Sequence, residues 1–279
     1  MTAASDNRAQ PGGGETPAIE VRDLVTHYGP RKILDGISLT VNQGEIMVVM
    51  GGSGSGKSTL LRHLLALERA TSGSIKLLGV DIAEAPAREI YALRRKMGVA
   101  FQGGALFSSM TVGENIMLPL REHTNLDEST MKIMARLKLE VVDLAGFEDL
   151  MPAELSGGMI KRAALARSVV MDPKLLFCDE PSAGLDPVVA SSLDELILRL
   201  RDAFGMTIVV VTHELQSAFT IADRITVLDR GTILTIGTVE EVQDSSNERV
   251  QNLLTRQTED VVVDVDNYMR RLTDGIGMD

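Results

Sequence analysis

The chain has 279 residues, 44% hydrophobic and 24% charged, with a formal net charge of −11. That length suits one large domain, or one domain with subdomains and tails, and a core that needs no disulfides. The acidic balance excludes a broad nucleic-acid surface, which needs clustered Lys and Arg, and the single cysteine, Cys178, excludes an intramolecular disulfide and reads as a buried structural thiol in an apolar run.

Residues 1–17 are polar and glycine-bearing, lack the apolar core of a signal peptide, and read as a disordered leader. No run of about 18 apolar residues follows anywhere, so a cytoplasmic chain is expected, reaching any membrane through a partner. Ile19 and Val21 alternate with polar neighbours, as do Ile37, Leu39 and Val41, and Ile75 to Leu78 is strand-like. These read as short strands around a fully apolar one, Ile46 to Met50. Tyr28 is placed in the turn between the first two strands. Aromatics make up only 3% of the chain, so Tyr28 is the candidate flat partner for a nucleotide base.

After Met50 comes Gly51-Gly52-Ser53-Gly54-Ser55-Gly56-Lys57-Ser58-Thr59, and then Leu60, Leu61, Leu64 and Leu65 at helical spacing. Strand, glycine loop and helix form the context in which G-x-x-x-x-G-K-[ST] is a phosphate-binding P-loop. Its glycines let successive N–H groups point inward, and the helix start adds its positive end. Lys57 would reach the terminal phosphates and the Ser58 hydroxyl would sit on Mg²⁺.

Ala87 to Met97 is helical, and Val99 to Phe101 is a strand that runs through Gln102 into a flexible Gly103-Gly104 loop. From about 105 to 165 the pattern turns helical, with Met131, Met134, Ala135 and Leu137 as one apolar face. Ser156-Gly157-Gly158 opens a helix carrying Ala163 and Ala164. It offers either an ordinary N-cap or a second anion site.

Strands return at Leu175 to Asp179 and Thr207 to Val211, with an amphipathic helix at Ser191 to Arg201 between them. Apolar runs alternating with helices imply parallel strands with crossovers. The first of these strands ends in Asp179-Glu180. A P-loop enzyme needs one acid for magnesium, Asp179, and can use the next as general base on water, Glu180. Ile225 to Leu228 and Ile233 to Ile236 are two more strands. Past about 246 the composition shifts to a short helix (Val250, Leu253, Leu254) and an acidic tail with Val261, Val263 and Val265.

Over residues 18–245 the chain resembles the ABC-type ATPases. Tyr28 is similar to their adenine-stacking aromatic and Gly51 to Thr59 to the Walker A loop. Gln102 is similar to the glutamine that touches Mg²⁺ and water, and Leu155-Ser156-Gly157-Gly158-Met159 to the signature motif. Leu175 to Glu180 resembles Walker B, Ser182-Ala183-Gly184-Leu185-Asp186 the D-loop, and His213 the switch histidine on the γ-phosphate. The resemblance implies an α/β P-loop NTPase with a RecA-like parallel-sheet core, an antiparallel β subdomain and a helical subdomain at about 105–165. It implies ATP and Mg²⁺ as ligands, with Lys57, Gln102, Glu180 and His213 catalytic and Ser58, Gln102 and Asp179 on the metal.

It also implies a head-to-tail homodimer in which Ser156, Gly157, Gly158 and Asp186 act in trans, bound to two copies of a membrane permease. The signature here ends in Met159 where Gln is usual. With Phe101 to Phe107 and Ala163 to Arg167, this resembles the ATPases of MCE-type (Mla, maintenance of lipid asymmetry) phospholipid transporters. That implies an MCE-domain protein and a small accessory subunit as partners, the cytoplasmic face of a bacterial inner membrane as location, and residues 246–279 as a possible dimer arm. An importer ATPase for amino acids or another small solute, and a soluble assembly scaffold, are the alternatives.

Overall fold

The computed structural model describes residues 16–255. Most of the expected leader, and the tail with Val261, Val263 and Val265, lie outside the described residues.

Two sheets organise the chain. The first is antiparallel, in the order β2-β1-β4-β5, from β1 (Ile19–Tyr28), β2 (Arg31–Val41), β4 (Ser72–Leu77) and β5 (Val80–Asp81). The second has six strands in the order β10-β9-β3-β8-β7-β6. These are β3 (Ile46–Met50), β6 (Met97–Ala100), β7 (Leu175–Asp179), β8 (Thr207–Thr212), β9 (Arg224–Asp229) and β10 (Thr232–Gly237). β6, β7, β8, β3 and β9 run parallel, and β10 closes the edge antiparallel to β9. A parallel strand needs a crossover, and its burial on both faces makes it apolar throughout; all five residues of β3 are buried.

Alternate residues of the central strands feed two cores. Val48, Leu176, Cys178 and Val210 join the helices α3 (Val112–His123), α4 (Glu128–Val141), α5 (Gly157–Ser168) and α6 (Pro187–Phe204). Met47, Val49, Phe177 and Val209 face the antiparallel sheet and helix α1 (Lys57–Leu64). Between α1 and β6 runs α2 (Ala87–Arg94). After β8 come α7 (Leu215–Ile221), α8 (Val239–Gln243) and α9 (Glu248–Leu254). The α9 helix packs on the main core: Val250 is fully buried, and Gln251 Nε2 donates to the carbonyls of Gln243 and Ser245 at 2.8 Å each.

Several local expectations change, and Met97 opens β6 instead of closing the helix that starts at Ala87. Tyr28 ends β1, paired with Arg31, rather than lying in the turn. Leu137 is 56% exposed; the inward position on that side of α4 is Lys138, whose ammonium lies 4.1 Å from the Phe204 ring centroid and donates to Asp172 at 2.5 Å. A lysine stem buries as well as a leucine while its charged end finds a partner, so period alone does not pick the inward residue.

Candidate nucleotide site

Four parallel strands end at one edge. The register sets Met50 of β3 beside Thr212 of β8, Val211 beside Asp179 of β7, and Cys178 beside Ala100 of β6. The loops leaving those ends carry the glycine loop, Asp179-Glu180, His213 and Gln102. In open α/β sheets ligands bind outside the carboxyl ends of the strands.

The glycine loop turns directly into α1. Its cap, Gly56, has φ 107°, a left-handed conformation, and a Cβ there would stand 2.7 Å from Leu34 Cδ2. Only glycine fits. No acidic residue occupies the first turn of α1, so its positive end is uncompensated. Lys57 Nζ donates to the carbonyls of Gly51 (2.7 Å) and Gly52 (3.0 Å). Gly52, Ser53, Gly54 and Ser58 are exposed along the loop, while Ser55 and Thr59 are buried.

The charges here are strained in a complementary way. Burial lowers the pKa of Lys57, against the pull of Glu180 and Asp179. Burial also raises that of Asp179, reinforced by the charge of Glu180 and opposed by Lys57 and Arg62. Opposite charges offset burial only in part for each group, and a phosphate chain with a divalent cation would provide both signs. Among the described residues the buried Ser55 Oγ has no partner. Among the described residues no group of three His, Cys, Asp or Glu side chains could hold a metal unaided. That fits a cation held by one carboxylate, one hydroxyl and phosphate oxygens.

Glu180 is gripped from several sides. Its amide donates to the Val211 carbonyl at 2.8 Å. Its carboxylate accepts from Thr212 Oγ1 (3.0 Å) and the His213 amide (3.4 Å), and lies 2.7 Å from His213 Nδ1. Glu180 and His213 thus form one unit, each fixing the other's orientation. Gln102 is exposed two residues past β6, at the same edge, and among the described residues no hydrogen bond ties its side chain inward. Tyr28 is 43% exposed and its hydroxyl donates to Glu68 Oε2 at 2.5 Å, which steadies the ring at the end of β1.

The Ser156-Gly157-Gly158 turn opens α5. Ser156 is its N-cap, accepting from the Met159 amide at 3.3 Å. A Cβ on Gly158 would meet Val189 Cγ1 at 2.7 Å, so glycine lets α5 approach the start of α6. Asp186 caps α6, accepting from the amides of Val188 and Val189 at 3.1 Å each. Met159 packs partly buried against the helical core.

Sequence reasoning missed four contributors. Thr212 orients Glu180. Leu253 of α9 joins Gly51, Gly52 and His213 around a cavity of about 350 Å³. Arg167 donates to the Gly104 (2.9 Å) and Ala105 (2.7 Å) carbonyls beyond Gln102, and Lys161 to the Glu180 carbonyl. Thr212 stands next to His213 in the sequence and was findable; the other three depend on which helix crosses which loop.

Comparison with known proteins agrees with this architecture. A family model described as ABC transporter matches residues 34–183, more than half of the chain. The probable ribonucleotide transport ATP-binding protein mkl of Mycobacterium leprae is 44% identical over 217 residues, which are 77% of this chain and 62% of that protein. The chain thus spans about three fifths of the length of that relative. The intermembrane phospholipid transport system ATP-binding protein MlaF of Haemophilus influenzae is 43% identical over 205 residues, 74% of this chain and 78% of that one. Among solved structures, the dimeric ATP-binding cassette MJ0796 in a post-hydrolysis state with ADP and Pi superposes with TM-score 0.73. It is 28% identical, over 79% of this chain and 98% of that chain. On the sequence match and the fold together, the chain belongs to the ABC transporter family.

Proposed function

We propose that this chain is the ATP-hydrolysing subunit of a bacterial inner-membrane transporter that moves phospholipid between membranes. The observation that carries the hydrolytic part is the convergence of the glycine loop, Asp179-Glu180, His213 and Gln102 on one sheet edge. The cargo rests on the phospholipid-transport relative, which the match covers over 78% of its length.

In this reading the loop amides of Gly51 to Thr59, the α1 N-terminus and Lys57 bind the phosphates, and Tyr28 stacks on adenine. Ser58, Asp179 and Gln102 would hold Mg²⁺, which when bound would neutralise charge on the phosphate oxygens. Glu180 accepts a proton from a water whose oxygen attacks the γ-phosphorus. The bond from that phosphorus to the β–γ bridging oxygen breaks, giving ADP and phosphate. His213, anchored on Glu180, reaches the γ-phosphate. Ser156, Gly157, Gly158 and Asp186 serve the nucleotide of a second copy, so two subunits close over two ATP molecules, and hydrolysis reopens them.

Two copies of a membrane permease take up that motion near Gln102. An MCE-domain protein and a small accessory subunit complete the assembly on the cytoplasmic face. Among the described residues no helix is long and apolar enough to cross a membrane; in this reading the permease supplies the attachment.

The test is purification from a detergent extract followed by reconstitution. A membrane subunit in equal copy number, and ATP-dependent phospholipid transfer between vesicles, are expected. Recovery only in a soluble complex would overturn the transporter reading. The name of the mycobacterial relative favours a ribonucleotide cargo as the second reading; ATP-dependent ribonucleotide uptake without lipid transfer would establish it instead.

A further inference from the structure

Helix α5 touches three stretches of the candidate site. Ser156-Gly157-Gly158 form its first turn, Arg167 at its far end holds the Gly104 and Ala105 carbonyls, and Lys161 lies between. Lys161 Nζ donates to the backbone carbonyl of Glu180 at 3.0 Å. That carbonyl belongs to a residue with φ 48°, in the left-handed region that a side chain takes at a cost and keeps only when its surroundings hold it there. β8 holds the amide of Glu180, Thr212 and His213 hold its carboxylate, and Lys161 holds the remaining backbone group, shared with a longer bond from the Ala183 amide at 3.3 Å. Lys161 is half-buried; burial lowers its pKa while the charge of Glu180 pulls it back up.

We propose that Lys161 is a positioning residue for hydrolysis, fixing the backbone of Glu180 and tying it to the helix whose first turn meets the second subunit's nucleotide. The inference rests on the reading of Glu180 as general base and of Ser156 to Gly158 as the wall supplied in trans. Gly157 and Lys161 stand one turn apart, about 6 Å along the axis. A shift of the α5 N-terminus as it engages the neighbouring nucleotide therefore reaches the Glu180 carbonyl through one side chain. Each site would sense occupancy of the other by this route.

The test uses the full chain with Mg²⁺ and ATP, and compares Lys161→Met, Lys161→Gln and Lys161→Arg with wild type. The two neutral variants should lower kcat about tenfold or more, the rate equivalent of one charge-assisted hydrogen bond. KM and nucleotide affinity should stay within about twofold, because no atom of Lys161 serves binding in this scheme. Lys161→Arg, which keeps the donor, should recover most of the rate. Wild-type kcat in either neutral variant would overturn the proposal, and so would an arginine variant as slow as the methionine one, since that pattern belongs to stem packing. Should one neutral variant fail to fold, the other decides. Glu180→Gln is measured alongside. Full turnover there would overturn the underlying reading of Glu180, whereas a slow Glu180→Gln beside a fast Lys161→Met would overturn only the positioning role.

Discussion

Replacing Glu180 by Gln isolates proton acceptance from shape. The carboxylate meets three groups: Thr212 Oγ1, the His213 amide and His213 Nδ1. A glutamine is isosteric. Its carbonyl oxygen can still accept from Thr212 and the His213 amide, and its NH₂ can donate to Nδ1 once the imidazole carries its proton on Nε2. The geometry therefore survives, and so should fold and ATP affinity. The ability to take a proton from water is lost, which costs roughly 10² to 10⁴ in rate. That corresponds to about 2.7–5.4 kcal/mol on the barrier. Rapid-quench phosphate formation under single-turnover conditions reads the chemical step, with a calorimetric ATP titration and a thermal melt as controls. Turnover within about twofold of wild type, with ATP bound normally, would refute the role of Glu180.

Lys57→Ala should instead weaken nucleotide binding itself, because the ammonium that bridges Gly51 and Gly52 is placed for phosphate; an unchanged calorimetric affinity would count against that. Asp194 of α6 is 3% exposed, has among the described residues no partner for Oδ1, and has its pKa raised by burial against a hydrogen bond from Ser217. A carboxyl that binds its proton more tightly folded than unfolded destabilises the fold above its folded pKa, and the penalty is relieved as pH falls through that value toward the unfolded one. Asp194→Asn should therefore raise the unfolding free energy obtained from urea titration at pH 7 by about 1 kcal/mol, with the gain shrinking toward pH 4; a gain that does not change with pH would contradict it. The Cys178 thiol, fully buried and with its pKa pushed up to about 12, should resist alkylation at pH 8 until the protein unfolds, and mass spectrometry of iodoacetamide-treated native protein checks this.

Much of the fold was legible because parallel strands announce themselves. The runs Ile46 to Met50 and Ile208 to Val211 are apolar throughout because they are buried on both faces. Helix-opening chemistry was legible at Ser156, whereas α6 starts at Pro187 behind its cap Asp186, four residues before the expected Ser191. The residues at the strand ends became candidates only in combination with the glycine loop, because many strand ends carry acids and a histidine alone is more often structural. What stayed hidden was set by contacts between elements far apart in the sequence. Nothing near Lys161 says that α5 passes beside the residue after β7. Nothing near Leu253 says that α9 returns to the mouth of the glycine loop. The exposed Leu137 misled for the opposite reason: helical period gives a face, and Lys138 takes the inward place by using its stem.

Asn115 is fully buried in α3 and bonds only backbone. Its Oδ1 accepts from the Phe107 amide at 2.7 Å, and its Nδ2 donates to the carbonyls of Phe107, Met110 and Thr111 at 3.1, 3.2 and 2.9 Å. Yet the Phe107 ring is 52% exposed. The consequence concerns the entropy of association. Fixing the backbone of one residue costs roughly 1–2 kcal/mol, and here that cost falls on folding instead of on complex formation. A neighbour docking on Phe107 would meet a backbone already fixed, and would be spared that ordering cost while still paying for its own lost translational and rotational freedom.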